Sequence, residues 1–264
     1  MKKIKPLLWI LFLLFTCKSF IISFLDTMPP VLAESCLEFS REASFDIHHQ
    51  RDWEDSKTDA DFCMSFKITN RDLRTASVHK NQLKNPSANS YTEFWGKLYQ
   101  QLAKADNDKI HSLLDSLDQI AKTNTLDYTE FAHVVVKMVQ DIPYQYILSD
   151  KCTSEHSDYP CYGNQRFGIT SPVEFLYTLK GDCDSRTVLI YTILSNFGYD
   201  PVVLISREYR HSMLALDLPA TGEFIKISGK KYYFWETTGT GWEPGIIPPG
   251  MDNKNYWHIA LKHE

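Results

Sequence analysis

Cys183 stands between two aspartates in "GDCDSR" (residues 181 to 186), directly after a glycine and at the head of an apolar helical run. A cysteine at a helix N-terminus meets unpaired backbone N–H groups and the positive end of the helix dipole, which favour the thiolate, the nucleophilic form. If His211 were close, its imidazolium would lower the thiol pKa further and could later protonate a leaving group. His211 opens the strand-like segment "HSMLAL", where it shares a face with Met213 and Ala215. Such a histidine needs an acceptor on its second nitrogen, and Glu236, at the end of "KYYFWETT", is a plausible one. Spacing alone also leaves the ordinary readings open. A lone cysteine at a helix start is commonly a small core residue, and a histidine beside Arg210 is commonly on the surface.

Cysteine arithmetic bears on the choice. The basic start "MKKIK" followed by an apolar stretch from Leu7 to Leu25 reads as an N-terminal membrane anchor, with a cleaved signal ending near "VLA" (31 to 33) as the alternative. Either way the remainder is expected on the extracytoplasmic side, anchored to the membrane or exported. Of the six cysteines, Cys17 lies in the leader and five then face an oxidising compartment. Five is odd, so one is expected to be unpaired. Cys152 and Cys161 bracket a short polar loop and read as one disulfide; Cys36 and Cys63 form the second by elimination, leaving Cys183. A zinc site on Cys152, Cys161 and His156 competes but lacks a CxxC unit.

The elements that must position these residues follow from periodicity. Residues 1–33 form the leader, 34–88 a polar extension and linker containing a strand at "FCMSFKI", and 89–264 the main domain. Helices are expected at "YTEFWGKLYQQLA", at "KIHSLLDSLDQIA" and at "DYTEFAHVVVKMVQDIP", the last capped by Asp127 or Thr129 with its valines and Met138 in the core. Ser171 and Pro172 start "SPVEFLYTL", and the next helix runs from about Cys183 to Gly198. The period then changes to two. "PVVLIS", "HSMLALDL", "EFIKIS" and "KYYFWETT" read as strands, and "NKNYWHIALK" as a closing edge strand carrying a structural His258. Helices followed by an antiparallel sheet define an α+β domain.

Other signals are weaker. "DSKTDADF" is interrupted by Lys57 and lacks the glycine and closing glutamate of a calcium loop. His48 and His49 are adjacent and read as surface residues. "GTGWEPGIIPPG" lacks the residues of a phosphate loop, and its Trp242 either lines a groove or covers the core. No cofactor is expected. With 28 basic against 33 acidic residues and no Lys/Arg stripe, nucleic acid is not an expected partner.

"SPVEFLYTLKGDCDSRTVLIYTILSNFGYDPVVLI" resembles the central signature of the transglutaminase-like superfamily, the papain-related cysteine enzymes. "VVVKMVQDIPYQY", "HSMLAL" and "YFWETT" are similar to its preceding helix, histidine strand and acid strand, so the likeness spans roughly 125 to 245. It implies that fold, with the nucleophile at a helix N-terminus packed on an antiparallel sheet. It also implies Cys183 as nucleophile, His211 as base and acid, and Glu236 as its orienting acid, one methylene longer than the usual aspartate. The chemistry implied is attack on a carboxamide or peptide carbonyl of a protein or peptide, giving a thioester acyl-enzyme. The Cys183 N–H is the obvious oxyanion donor. A side-chain donor is implied by the resemblance, with Tyr144, Gln145 and Gln165 as candidates. Hydrolysis is the leading expectation; a catalytically idle peptide-binding or envelope-assembly module and acyl transfer to amines are the alternatives.

Overall fold

The computed structural model describes residues 46–55, 57–58, 60–153 and 160–262. The leader, Cys17, Cys36 and His156 lie outside the described residues. Strands β1 (Ile47–Asp55) and β2 (Ala60–Ile68) pair antiparallel from Ile47↔Ile68 to Asp55↔Ala60. Along β2, Phe62, Met64, Phe66 and Ile68 are buried in alternation, as a half-buried strand requires. Helix α1 (Asn70–Gln82) follows, capped by Thr69. Residues 34–88 are expected to form an extension apart from the main domain. The structure instead packs Trp53, Phe62, Met64, Phe66, Ile68 and Ala76 into the same core as the later helices.

Helices α2 (Tyr91–Asp106), α3 (His111–Asn124) and α4 (Tyr128–Gln140) occupy the expected segments. Of the two expected caps for α4, Asp127 is the one used: it accepts from Thr129 N and Glu130 N, and Glu130 returns a bond to Asp127 N. Two short parallel strands, β3 (Tyr146–Ile147) and β4 (Cys161–Tyr162), come next. Helix α5 (Pro172–Thr178) starts with Ser171 as cap and Pro172 in the first turn. Helix α6 (Cys183–Asn196) is buried on nearly every side, so its apolar residues show no single face.

The sheet contains β5 (Val202–Ser206), β6 (His211–Leu216), β7 (Phe224–Ile227), β8 (Lys230–Trp235) and β9 (His258–Lys262) in the order β7-β8-β6-β5-β9. Every pairing in it is antiparallel. The architecture is thus α+β. α6 packs against β6 and β5, with α2 over the edge strand β9. Gly96 permits the second contact, because a Cβ there would come within 2.0 Å of Ala260 O. Val202, Leu204, Met213, Ala215, Phe234 and Trp257 form a separate core. His258 is exposed on the edge strand, and His49, expected at the surface, is half-buried against Phe66 with Nε2 on Tyr177 O at 3.2 Å.

Candidate active site

The turn before α6 sets the position of Cys183. Asp182 is the helix cap, its Oδ1 accepting from Ser185 N at 3.1 Å and from Ser185 Oγ at 2.8 Å. Gly181 precedes it because there is no room for a side chain: a Cβ would stand 2.2 Å from the Phe175 ring. Cys183 is therefore the first residue of α6, and its N–H has no acceptor within the helix. It is buried, with 7% of its surface exposed, and is the free cysteine among the described residues.

The central strand β6 begins with His211, whose imidazole lies close enough to Cys183 for each to shift the ionisation of the other. Trp257 lies edge-on to its ring, 6.1 Å between centroids. On the other side, His211 Nε2 meets Glu236 Oε2 at 2.7 Å. A carboxylate can only accept, so Nε2 is the donor in this pair and Nδ1 is the ring nitrogen left for another partner.

Glu236 directly follows β8, the neighbour of β6. The ladder between them ends at Leu214↔Trp235, so Glu236 is free of strand pairing. Its Oε1 turns back over its own chain and accepts from Thr237 N at 2.8 Å, Thr238 N at 2.9 Å and Thr238 Oγ1 at 2.7 Å. Gln140 of α4 donates to Glu236 O at 2.7 Å, and Thr187 of α6 meets Thr237 Oγ1 at 3.1 Å, so the acid loop is tied to both helices.

Electrostatics pull in two directions. Burial, with Asp184 adding to it, holds the Cys183 thiol above its ordinary value although His211 pulls it down, the reverse of the lowering expected at a helix start. Burial opposes charge on His211 too, yet Cys183 and Glu236 outweigh it and hold the imidazole well above its ordinary value. Burial also works against the Glu236 carboxylate, but His211 and Thr238 hold it below the usual range. Asp182, buried beside a second carboxylate, is pushed up to about 7. Asp184 is raised by burial, and its Oδ1 accepts from Tyr99 Oη at 2.7 Å. Asp184 is thereby held by α2, while Asp182 caps α6.

The three oxyanion candidates separate. Gln145 N donates to Gly181 O at 3.3 Å, which docks that residue against the turn that carries Cys183. Tyr144 lies beside the Arg186 guanidinium, 5.7 Å from its ring centroid, within electrostatic range of Cys183. Gln165 is engaged elsewhere: its Nε2 donates to Gly163 O at 3.2 Å and its Oε1 accepts from Lys80 Nζ at 3.3 Å. Trp242 is half-buried, its carbonyl accepting from Lys137, Gln140 and Trp235, which pins its loop to α4.

Cys152 and Cys161 form the expected disulfide, joining the segment after β3 to β4. Cys63 is also disulfide-bonded. No group of residues suited to a metal ion occurs among the described residues, and no described helix is long and apolar enough to cross a membrane. Family models, curated proteins and solved structures yielded no match to this chain. Sequence reasoning passed over Gln140, Tyr99 and Arg186. Only Arg186 left a signal, a cation three residues after the cysteine in an otherwise apolar helix.

Proposed function

We propose that this chain is an extracytoplasmic cysteine hydrolase of the transglutaminase-like type, acting on an amide bond in a protein or peptide. The observation that carries this reading is His211 placed between Cys183, with which it interacts electrostatically, and a Glu236 carboxylate held at 2.7 Å from Nε2. A nucleophile at a helix start, packed on the strand that bears the histidine, supports the family assignment. The Cys152–Cys161 disulfide supports an oxidising compartment.

In this reaction the Cys183 thiolate adds to the carbonyl carbon, and the electron pair of the C=O bond moves to oxygen. The Cys183 N–H, with Gln145 as the upstream neighbour, faces the resulting oxyanion. Collapse breaks the C–N bond as His211 gives its proton to the leaving amine, leaving a thioester. His211 then takes a proton from water, hydroxide adds to the thioester, and the acid departs as the thiolate is restored. An amine in place of water would give acyl transfer. The burial of Cys183 favours a second reading, an idle peptide-binding module.

The test is acylation by p-nitrophenyl acetate. A burst of nitrophenol, with an acetyl group mapped to Cys183 and both lost in Cys183→Ala, is expected. His211→Ala should slow the burst. No acetylation of Cys183 would transfer the lead to the binding module. Hydroxylamine or an amino-acid ester added during turnover distinguishes transfer from hydrolysis.

A further inference from the structure

Arg186 lies one helical turn after Cys183 with none of its surface exposed, and among the described residues no carboxylate is ion-paired with it. Its guanidinium donates to backbone carbonyls instead: from Nε to Gly181 O at 3.2 Å, from Nη1 to Val139 O at 2.7 Å and Thr237 O at 3.4 Å, and from Nη2 to Ile142 O. These four acceptors belong to three separate segments. Gly181 is two residues before the nucleophile, Thr237 is next to the acid, and Val139 and Ile142 bracket the end of α4.

Satisfying carbonyls does not require a charge. A buried cation without a paired anion is costly, and a neutral amide could serve some of the same acceptors at less expense. The ionisable groups that favour its charge are Tyr144, Asp182, Cys183 and Glu236, which are the candidate site itself. Burial lowers the guanidinium to about 10, so it is still charged at neutral pH. Cys183 is opposed by burial and by two neighbouring aspartates. A Cys183 thiolate favours the guanidinium charge, and because that attraction is mutual the guanidinium favours the thiolate in return.

We propose that Arg186 is a positioning residue of this site, fastening the nucleophile turn and the acid loop to α4 while its charge sustains the Cys183 thiolate. The inference rests on the hydrolase reading for its purpose, but its physical content does not depend on turnover. It makes the thiol and the guanidinium one electrostatic unit.

The experiment compares the full chain with Arg186→Gln, which is neutral, and Arg186→Lys, which keeps the charge, by the pH dependence of Cys183 alkylation with iodoacetamide. Near-ultraviolet circular dichroism and thermal melts accompany each. A buried lysine under a similar burial penalty is still charged at neutral pH. Arg186→Gln is expected to raise the thiol midpoint, leaving about tenfold less thiolate at neutral pH. Arg186→Lys is expected to stay near the wild-type midpoint while melting earlier. A midpoint shifted equally in both variants or in neither, or failure of both to fold, would mean a structural staple and overturn the proposal. A wild-type thiol that ignores His211→Ala sinks the hydrolase reading instead, while the contrast between the glutamine and lysine variants still decides the role of Arg186.

Discussion

Glu236 Oε2 stands 2.7 Å from His211 Nε2, while its other oxygen is held by Thr237 and Thr238. The carboxylate is therefore fixed before any substrate arrives, and so is the plane of the imidazole. Glu236→Gln removes the charge and keeps the length. His211 should then fall toward its ordinary pKa, because one of the partners that hold its proton is lost. Acylation of Cys183 should drop by on the order of 100-fold or more. Burst kinetics and titration of the His211 ring by NMR check this, and an unchanged burst would remove Glu236 from the mechanism.

Asp182 and Asp184 flank Cys183, and both oppose its ionisation. Asp182 gains its charge as pH rises through about 7, below the range to which burial pushes the thiol, so its opposition is fully present where Cys183 titrates. Asp182→Asn preserves a capping oxygen for Ser185 N and deletes the charge. The thiol midpoint should move down, with faster alkylation near pH 8. The pH dependence of iodoacetamide incorporation tests the sign, and a midpoint that moves up would show that the cap dominates.

The candidate site was legible because its residue types are rare in combination: an unpaired cysteine, a histidine opening a strand and an acid closing one. The strands were legible from period two and α6 from its glycine boundaries. What could not be read was convergence. Nothing in the spacing of Val139, Ile142, Gly181 and Thr237 says that their carbonyls meet on one guanidinium. The curl of Glu236 was equally hidden, since it depends on where the β6–β8 ladder stops. Gln165 was a reasonable donor until its amide was found between Gly163 and Lys80. The first hairpin was missed because a polar surface strand lies beside the alternating apolar one.

Gly181 is required for packing rather than for a special backbone angle. A methyl there would stand 2.2 Å from Phe175 Cε2 and 3.1 Å from Ser185 Cβ. Phe175 is fully buried in α5, so the turn must shift, and Cys183 with it. Gly181→Ala should cost about 1 to 3 kcal/mol. It should also cut Cys183 acylation more than the lost stability explains. Denaturant melts together with burst amplitude test this, and a fully active, unshifted variant would mean that the turn relaxes without moving the thiol.

His133 offers a pH effect away from the nucleophile. It is buried in α4 against Trp235, with neither ring nitrogen hydrogen-bonded. Asp55 of β1 and Glu243 lie 4.0 and 3.4 Å from its Nδ1, and Lys57 and Lys137 also face it. Burial outweighs both carboxylates and lowers the imidazole to about 4. Between about pH 6.5 and 4 the unfolded chain therefore binds a proton that the folded chain refuses, so stability falls as the pH falls. The full effect is about 3 kcal/mol by pH 4. Other groups titrate in that window, Asp182 in the opposite sense, so the comparison is with His133→Phe, which keeps a ring beside Trp235. Its unfolding free energy should decline less from pH 6.5 to 4 than that of wild type, measured by urea melts at each pH. Parallel curves would mean that His133 takes up its proton in the folded protein, drawn by Asp55 and Glu243 against the penalty of burial.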